Sequence, residues 1–396
     1  MRMKTGRRKR SGTMALACLC GVVLLSGCAY IPPMDTAASY FKELYRRLPY
    51  TVEGRYRVIT IFTATDRKVE REGDTSFSFR PELGEGLTYG TMDVKIDPQV
   101  SIGKMLPDRL KRHGVIGVQD IRRLDADAFK KQLAAAVAAS PHRSLLVVIF
   151  GYKDDFEVTA IKAAYFAYLL DVNTPVLLFD WPGDQPVSIS GYKRAQDYAR
   201  RSGPFLSELL VKVVRDTKPE RLWVQASSLG CAVVCHAFHS LYVCEDFCDM
   251  DTEIANVILA APDVGLKEFD ERFKKEFVAL SRSLTVYVSS NDDALLLSGM
   301  INQEQRLGRQ RIAEDDEEAE AKDLLYLKSL EPERITVIDV TPINNASDLH
   351  GYYLECPEFF DDLYMRIFDK HPNTNRRLYL LKYKDNVDYW VLQGER

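Results

Sequence analysis

The chain has 396 residues, a formal net charge of -4 with both signs interspersed, and a hydrophobic share of 46%. That is enough apolar material for a globular protein with one large domain or two ordinary ones. The charge balance, together with the absence of any RNA- or DNA-binding motif, excludes nucleic acid as a partner.

Arg2, Lys4, Arg7, Arg8, Lys9 and Arg10 form a basic n-region, and Met14 to Leu25 is an apolar run too short to span a bilayer. Followed by Leu25-Ser26-Gly27-Cys28, this layout reads as an export signal. The tetrapeptide resembles the lipobox of bacterial lipoproteins, which implies a signal peptide of residues 1–27 and a lipidated Cys28 as the first residue of the mature protein. Acyl chains on Cys28 would hold the protein to the membrane without a transmembrane helix. A plain secretory peptide or a short anchor shares the upstream layout. Ala29, not Asp, follows Cys28, so the expected location is the cell envelope, at the outer membrane and facing the periplasm.

Residues 28–55 read as a tether and an N-terminal helix with Tyr40, Phe41, Leu44 and Tyr45 at helical spacing. The main domain is expected over 56–370 and a C-terminal extension over 371–396. Arg57 to Ala64 and Leu87 to Ile96 predict strands joined by a polar, Gly-rich connection, and Asp125 to Ala139 predicts a helix. Ser144 to Phe150 is a continuous apolar run, as expected of a strand buried on both faces of a parallel sheet. Helix about Phe156 to Leu170, strand Pro175 to Asp180, helix about Tyr192 to Arg215 and strand Arg221 to Gln225 follow. The alternation continues with a helix from Cys231 to Tyr242, a strand at Ile254 to Ala260, a mainly helical Leu266 to Leu280 and strands at Leu284 to Ser289 and Arg334 to Val340. Such alternation implies an α/β fold with a doubly wound, mostly parallel sheet and flanking helices. Glu304 to Lys322 interrupts it with an acidic run that reads as a solvated helix or loop. A helix from about Glu358 to Asp369 and an added edge strand at Leu378 to Tyr383 complete the chain.

Outside the signal and Cys28, the cysteines are Cys231, Cys235, Cys244, Cys248 and Cys356. An exported protein can keep disulfides, and Cys244 with Cys248, or Cys235 with Cys244, are the pairings within reach. Cys231, Cys235, His236 and His239 have a metal-like spacing, but the two cysteines share a helix face with core-like neighbours, so apolar packing is the expectation and no metal or cofactor is assigned.

The stretch Ala226-Ser227-Ser228-Leu229-Gly230 turns a buried strand sharply into a helix. Small residues two before and two after a serine match the nucleophile elbow G-x-S-x-G, with Ala in the first place, and the spacing selects Ser228. The elbow crowds its flanks, so only Gly or Ala fits there. An ordinary strand-to-helix turn with a capping Ser has the same local composition.

A nucleophilic serine needs a base, and this fold's chain order is Ser, then Asp or Glu, then His. His113 and His142 precede the elbow, His236 and His239 sit on the helix after it, and His371 lies past the final helix, which leaves His350 on the loop after the last core strand. The acid is expected at Asp292, after the strand ending in Ser289, where open α/β sheets place their ligands. Asp293 could substitute, and Asp263 after the intervening strand is the runner-up. Each Asp alone also fits a loop-capping role. The backbone N–H groups of Leu229 and of Tyr152, in the Gly151-Tyr152 turn after the Ser144 to Phe150 strand, are the expected oxyanion hole.

The combination FGYKDDF (Phe150 to Phe156), FDWPG (Phe179 to Gly183), ASSLG (Ala226 to Gly230), LAAPDV (Leu259 to Val264), YVSSNDDAL (Tyr287 to Leu295) and LHGYY (Leu349 to Tyr353) resembles a bacterial alpha/beta-hydrolase family of unknown function. Its members read HGYN, SWPS, AHSMG, AAPDV, SSNDRAL and GHSYF at these places. FTATDRK at Phe62 to Lys68 resembles the family's N-terminal signature. The resemblance spans Ile59 to about Leu363 and implies a Ser-Asp-His triad falling on Ser228, Asp292 and His350. Phe150 stands in place of the family's first His, Lys153 in place of its Asn, and Ser227 in place of the His before the nucleophile.

These readings lead to a membrane-anchored serine hydrolase acting on a small-molecule or lipid carboxylic ester through an acyl-enzyme. The rival is a catalytically impaired hydrolase-fold lipoprotein that binds a partner through its cleft or through the acidic Glu314 to Glu320 segment.

Overall fold

The middle of the sheet is built from strands that water does not reach. In the computed structural model β5 (Ser144–Ile149), β6 (Val176–Asp180), β7 (Arg221–Ser227), β8 (Asn256–Ala260) and β9 (Leu284–Val288) are buried along almost their whole length. Parallel strands covered by helices on both faces must be apolar in this way. The structure describes residues 46–72, 76–103, 114–248, 254–309, 334–368, 375–383 and 387–394. The chain divides into units Met1–Arg46 and Arg47–Arg396, and the fold here is that of the second. Cys28, the apolar run before it, the expected helix around Tyr40 to Tyr45 and the acidic residues 314–320 lie outside the described residues.

The sheet runs β11 (Leu378–Tyr383), β12 (Val387–Leu392), β10 (Ile335–Asp339), β9, β8, β7, β5, β6, β2 (Tyr56–Glu72), β3 (Ser76–Ile96), β4 (Ile116–Leu124), with β1 (Thr51–Glu53) pairing on β2. From β12 across to β2 every pair is parallel, whereas both outer ends are antiparallel. This is the doubly wound, mostly parallel sheet that the alternation implied. The chain steps from β5 out to β6, then crosses back over β5 to β7. The carboxyl ends of β5 and β7 therefore flank a topological switch point, where crossover connections diverge and leave a crevice.

Successive side chains of a strand point to opposite faces, and β5 divides accordingly. Leu145, Val147 and Ile149 pack with α1 (Ala126–Ala139), α3 (Ile189–Thr217), α4 (Gly230–Tyr242) and α5 (Lys274–Leu280), while Leu146 and Val148 pack with α2 (Phe156–Leu170) and α7 (Pro357–Ile367). α1, α2 and α3 start on side-chain caps that satisfy first-turn N–H groups. Asp125 accepts from Ala128, Asp155 from Val158 and Ser188 from Gly191.

Four elements depart from expectation. The connection between the first two strands is itself a hairpin, with β2 and β3 paired from Arg57↔Ile96 out to Glu72↔Ser76. Its outer part is exposed at residues 80–82 and 85–86, so no inside-outside alternation marks it as strand. β4 is a half-exposed edge strand with the polar sequence IGVQDIRRL, and α6 (Asp293–Asn302) is apolar nearly all round. The tail forms a hairpin whose second strand, β12, inserts between β10 and the expected edge strand. Cys235 and Cys244 carry free thiols, as do Cys231 and Cys356, so neither anticipated disulfide forms. Cys231 and Cys235 are buried in the core against α4's neighbours.

Candidate active site

Ser228 sits at the end of β7 in the left-handed region, φ 54°, a conformation that costs a non-glycine residue energy. Backbone contacts hold it there. Its N–H donates to Ala260 O (2.9 Å), and its carbonyl accepts from Cys231 N (3.0 Å) and Asp263 N (3.2 Å). The flanking small residues are required, since a Cβ on Gly230 would stand 2.5 Å from the Phe150 carbonyl oxygen. Ala226 is fully buried in the core.

His350 comes to this serine from the loop after β10. Its Nε2 lies 2.8 Å from Ser228 Oγ and its Nδ1 2.7 Å from Asp292 Oδ2. With a carboxylate at Nδ1, the proton resides on that nitrogen and Nε2 accepts from the serine hydroxyl. Asp292 is fully buried and fills both roles weighed for it: Oδ1 caps α6 by accepting from Leu295 N (2.9 Å), and Oδ2 takes the imidazole. Burial alone would depress the imidazole, but the hydrogen bond and charge of Asp292, with Asp348 and Asp263 adding, carry it above its usual value. Asp348 shapes the loop, its carboxylate accepting from the N–H groups of His350 (3.0 Å) and Gly351 (2.7 Å). Asn344 ties the two acidic loops together by donating to Ser289 Oγ, Asn291 Oδ1 and Leu349 O.

The loop after β5 closes the other side. Gly151 lies so close to the serine that an added Cβ would meet Ser228 Cβ at 2.6 Å and Oγ at 2.9 Å. Three contacts pin this loop: Trp181 Nε1 donates to Phe150 O (2.8 Å), Lys153 N to Gly183 O (2.9 Å) and Tyr152 Oη to Pro186 O (2.6 Å). Beneath it Arg67, buried and re-aimed inward by register shifts in β2, pairs with Asp180 and Asp184 and donates to Asp154 O (3.2 Å). Among the described residues, the N–H groups of Tyr152 and Leu229 donate to no other protein group in these contacts.

The rival acids are placed elsewhere. The Asp263 carboxylate is saturated by Arg306 Nε (2.7 Å), Ser298 Oγ (2.6 Å) and Tyr192 Oη (2.7 Å), and Asp293 is exposed in the first turn of α6. His239 pairs with Glu276 (2.6 Å), and His236 lies edge-on to Phe273, its pKa lowered to about 4 by burial. Among the described residues no group of three or more His, Cys, Asp or Glu is arranged to hold a metal ion. A cavity of about 460 Å³ opens beside Ser228 and His350, lined by Tyr152, Tyr192, Val187, Ile189, Leu297 and Ile301 among others. Asn344 and Tyr192 shape this region and are not singled out from sequence, while Trp181 and Arg67 stand in the FDWPG and FTATDRK stretches without a role, because each acts through a partner distant in the chain.

The fold is that of an alpha/beta hydrolase. Residues 125–366, more than half of the chain, match the family model described as alpha/beta hydrolase of unknown function (DUF900), and the chain belongs to that family. No curated protein matches it. Among solved structures the chain is similar to a protein from Agrobacterium vitis S4 (14% identity, 76% of this chain and 98% of that one, TM-score 0.32). It is also similar to an esterase B from Lactobacillus rhamnosis (11%, 80% and 96%, 0.25) and to the esterase Est2 from the Planctomycetes species Thermogutta terrifontis (12%, 59% and 85%, 0.29). The family assignment rests on the family match and not on these distant likenesses.

Proposed function

We propose that the protein is a serine hydrolase that cleaves carboxylic esters through an acyl-enzyme on Ser228. The observation that carries this reading is the continuous hydrogen-bonded line from Ser228 Oγ through His350 to Asp292. Ser228 Oγ attacks the ester carbonyl carbon while its proton passes to His350 Nε2, and the carbonyl electron pair moves to oxygen. The N–H groups of Tyr152 and Leu229 receive that oxyanion, each worth roughly a hundredfold or more in rate. Collapse expels the alkoxide, which takes the proton from His350. Water, deprotonated by His350, then attacks the acyl carbon and frees the acid and Ser228. Asp292 keeps the imidazole in the required tautomer and stabilises its cation.

A fluorophosphonate probe followed by peptide mass spectrometry tests the reading. Wild type is expected to label on Ser228, and Ser228→Ala is expected to lose both the label and p-nitrophenyl ester turnover by roughly 10⁴-fold or more. A Ser228→Ala protein with full turnover overturns it, and folded wild type without label leaves the partner-binding reading in its place. In the same reading the mature chain begins at a lipidated Cys28, supported by the basic n-region, the apolar run and the LSGC tetrapeptide. Radiolabelled palmitate is expected in wild type and absent from Cys28→Ala.

A further inference from the structure

An amphipathic helix on a protein surface turns its polar side to water. α6 does not, being apolar on its buried side at Leu295 and on its exposed side as well. Ser298 faces inward, hydrogen-bonded to the Asp263 carboxylate, while Leu296, Leu297 and Met300, at positions i, i+1 and i+4, are 42%, 58% and 70% exposed. Across the cavity, Val187 and Ile189 at the start of α3 are 83% and 66% exposed. Among the described residues, these five are the majority of the nine large hydrophobic side chains left in solvent. Single exposed hydrophobics are ordinary, but a cluster is not.

The cluster is continuous with the site. Val187, Ile189 and Leu297 belong at once to the exposed rim and to the cavity wall, and Ile301 and Leu295 add to the apolar lining of the same cavity that holds Ser228 and His350. Lys153, Ser188 and Asp348 also line the cavity, but its apolar side, formed by Leu295, Ile301, Leu297, Val187 and Ile189, offers a polar substrate no partner and gives a hydrocarbon chain with its ester at Ser228 Oγ a surface to lie on. We infer that the substrate is an ester with a long hydrocarbon chain, taken from a lipid aggregate against which Leu296, Leu297, Met300, Val187 and Ile189 dock. This rests on the serine hydrolase reading above. The rim is the face that meets the lipid, and the cavity is the channel along which the chain leaves it.

The test uses the full chain. Specificity for p-nitrophenyl esters is expected to rise from acetate to laurate by at least about tenfold, since each buried methylene is worth a factor of several. Leu296 and Met300 lie outside the cavity lining, so Leu296→Ser/Met300→Ser is expected to keep the turnover of dissolved p-nitrophenyl butyrate and to lose about tenfold or more on emulsified tributyrin. The added indole of Met300→Trp, read as the difference from wild type, is expected to shift blue on phosphatidylcholine vesicles. An acetate optimum, an unshifted indole, or an indole already shifted without vesicles because protein covers this face each overturns the inference. If Ser228 still labels, any of these leaves the hydrolase standing. Absence of both labelling and ester turnover removes the hydrolase reading and this inference with it.

Discussion

Gly151→Ala places the heaviest demand on the proposed chemistry with the smallest change. The added methyl would sit 2.6 Å from Ser228 Cβ and 3.3 Å from Leu229 N, where carbon contacts settle near 3.5–4.0 Å, so about 1 Å of separation must be found. Ser228 cannot supply it, because Ala260 O, Cys231 N and Asp263 N hold its backbone at positive φ. The loop must move instead, against the anchors on Phe150 O and Lys153 N, and the N–H of Tyr152 moves with it. A displacement of that size at a reacting geometry costs roughly a hundredfold, and loss of one oxyanion donor costs 10²–10³-fold, so both routes predict about 3 kcal/mol of lost transition-state stabilisation. Steady-state kinetics on p-nitrophenyl butyrate should show the loss in kcat with KM little changed, since the donor acts on the developing charge. Thermal melts check that the variant folds, because overpacking of this kind costs about 1–3 kcal/mol of stability. A folded Gly151→Ala enzyme with kcat within twofold of wild type would refute the assignment of this loop to the oxyanion.

Asp292→Asn keeps the size of the side chain but removes the charge that fixes the tautomer, and kcat should fall by roughly 10³–10⁴-fold. The base must be neutral to act, and His350 is held above the ordinary value of about 6.5, so the acid limb of wild-type kcat/KM against pH should lie above that value and move down in Asp292→Asn; a limb that does not move contradicts the pairing. Lys153 occupies φ 76°, which Asn tolerates better than Lys, so Lys153→Asn should raise the unfolding free energy by about 1 kcal/mol in urea titration, and unchanged stability would show that the backbone strain is relieved elsewhere.

What the sequence made legible follows from how local each signal is. β5 to β9 are short apolar runs between polar turns, and α1 to α4 have caps or helical spacing within a few residues, so each could be read where it stands. The Ser, Asp and His that meet at the switch point were selected by chain order at strand ends, a rule about topology that survives ignorance of packing. Asp263 and Asp292 were harder to separate, since both follow AAPD- or SND-like turns. They differ in what reaches them. Arg306 arrives at Asp263 from 43 positions away and Ser298 from 35, and such partners leave no local mark. The same is true of Arg67 with Asp180, 113 positions apart, and of Asn344 with Ser289, 55 apart. α6 was missed for another reason: with apolar residues on both its buried and its exposed side, it has no periodic contrast to read.

The three departures from the resembled family pattern can be weighed by asking which of their atoms the site uses. Phe150 turns its ring into the core beside Phe166 (centroids 6.4 Å apart) and gives the site only its carbonyl, held by the Trp181 indole. Lys153 gives its N–H to Gly183 O. Ser227 is buried in the last position of β7, one residue before Ser228. In the first two cases the loop geometry is fixed by backbone groups, which every residue type possesses, and by Arg67 below, which grips the carbonyl of Asp154 while anchored to Asp180 and Asp184. A guanidinium suits that position because its planar fork can donate to two carboxylates and a carbonyl at once without losing its charge. In this chain the loop is therefore held without any contribution from the Phe150 and Lys153 side chains to the contacts named, and it keeps Gly151 against the serine.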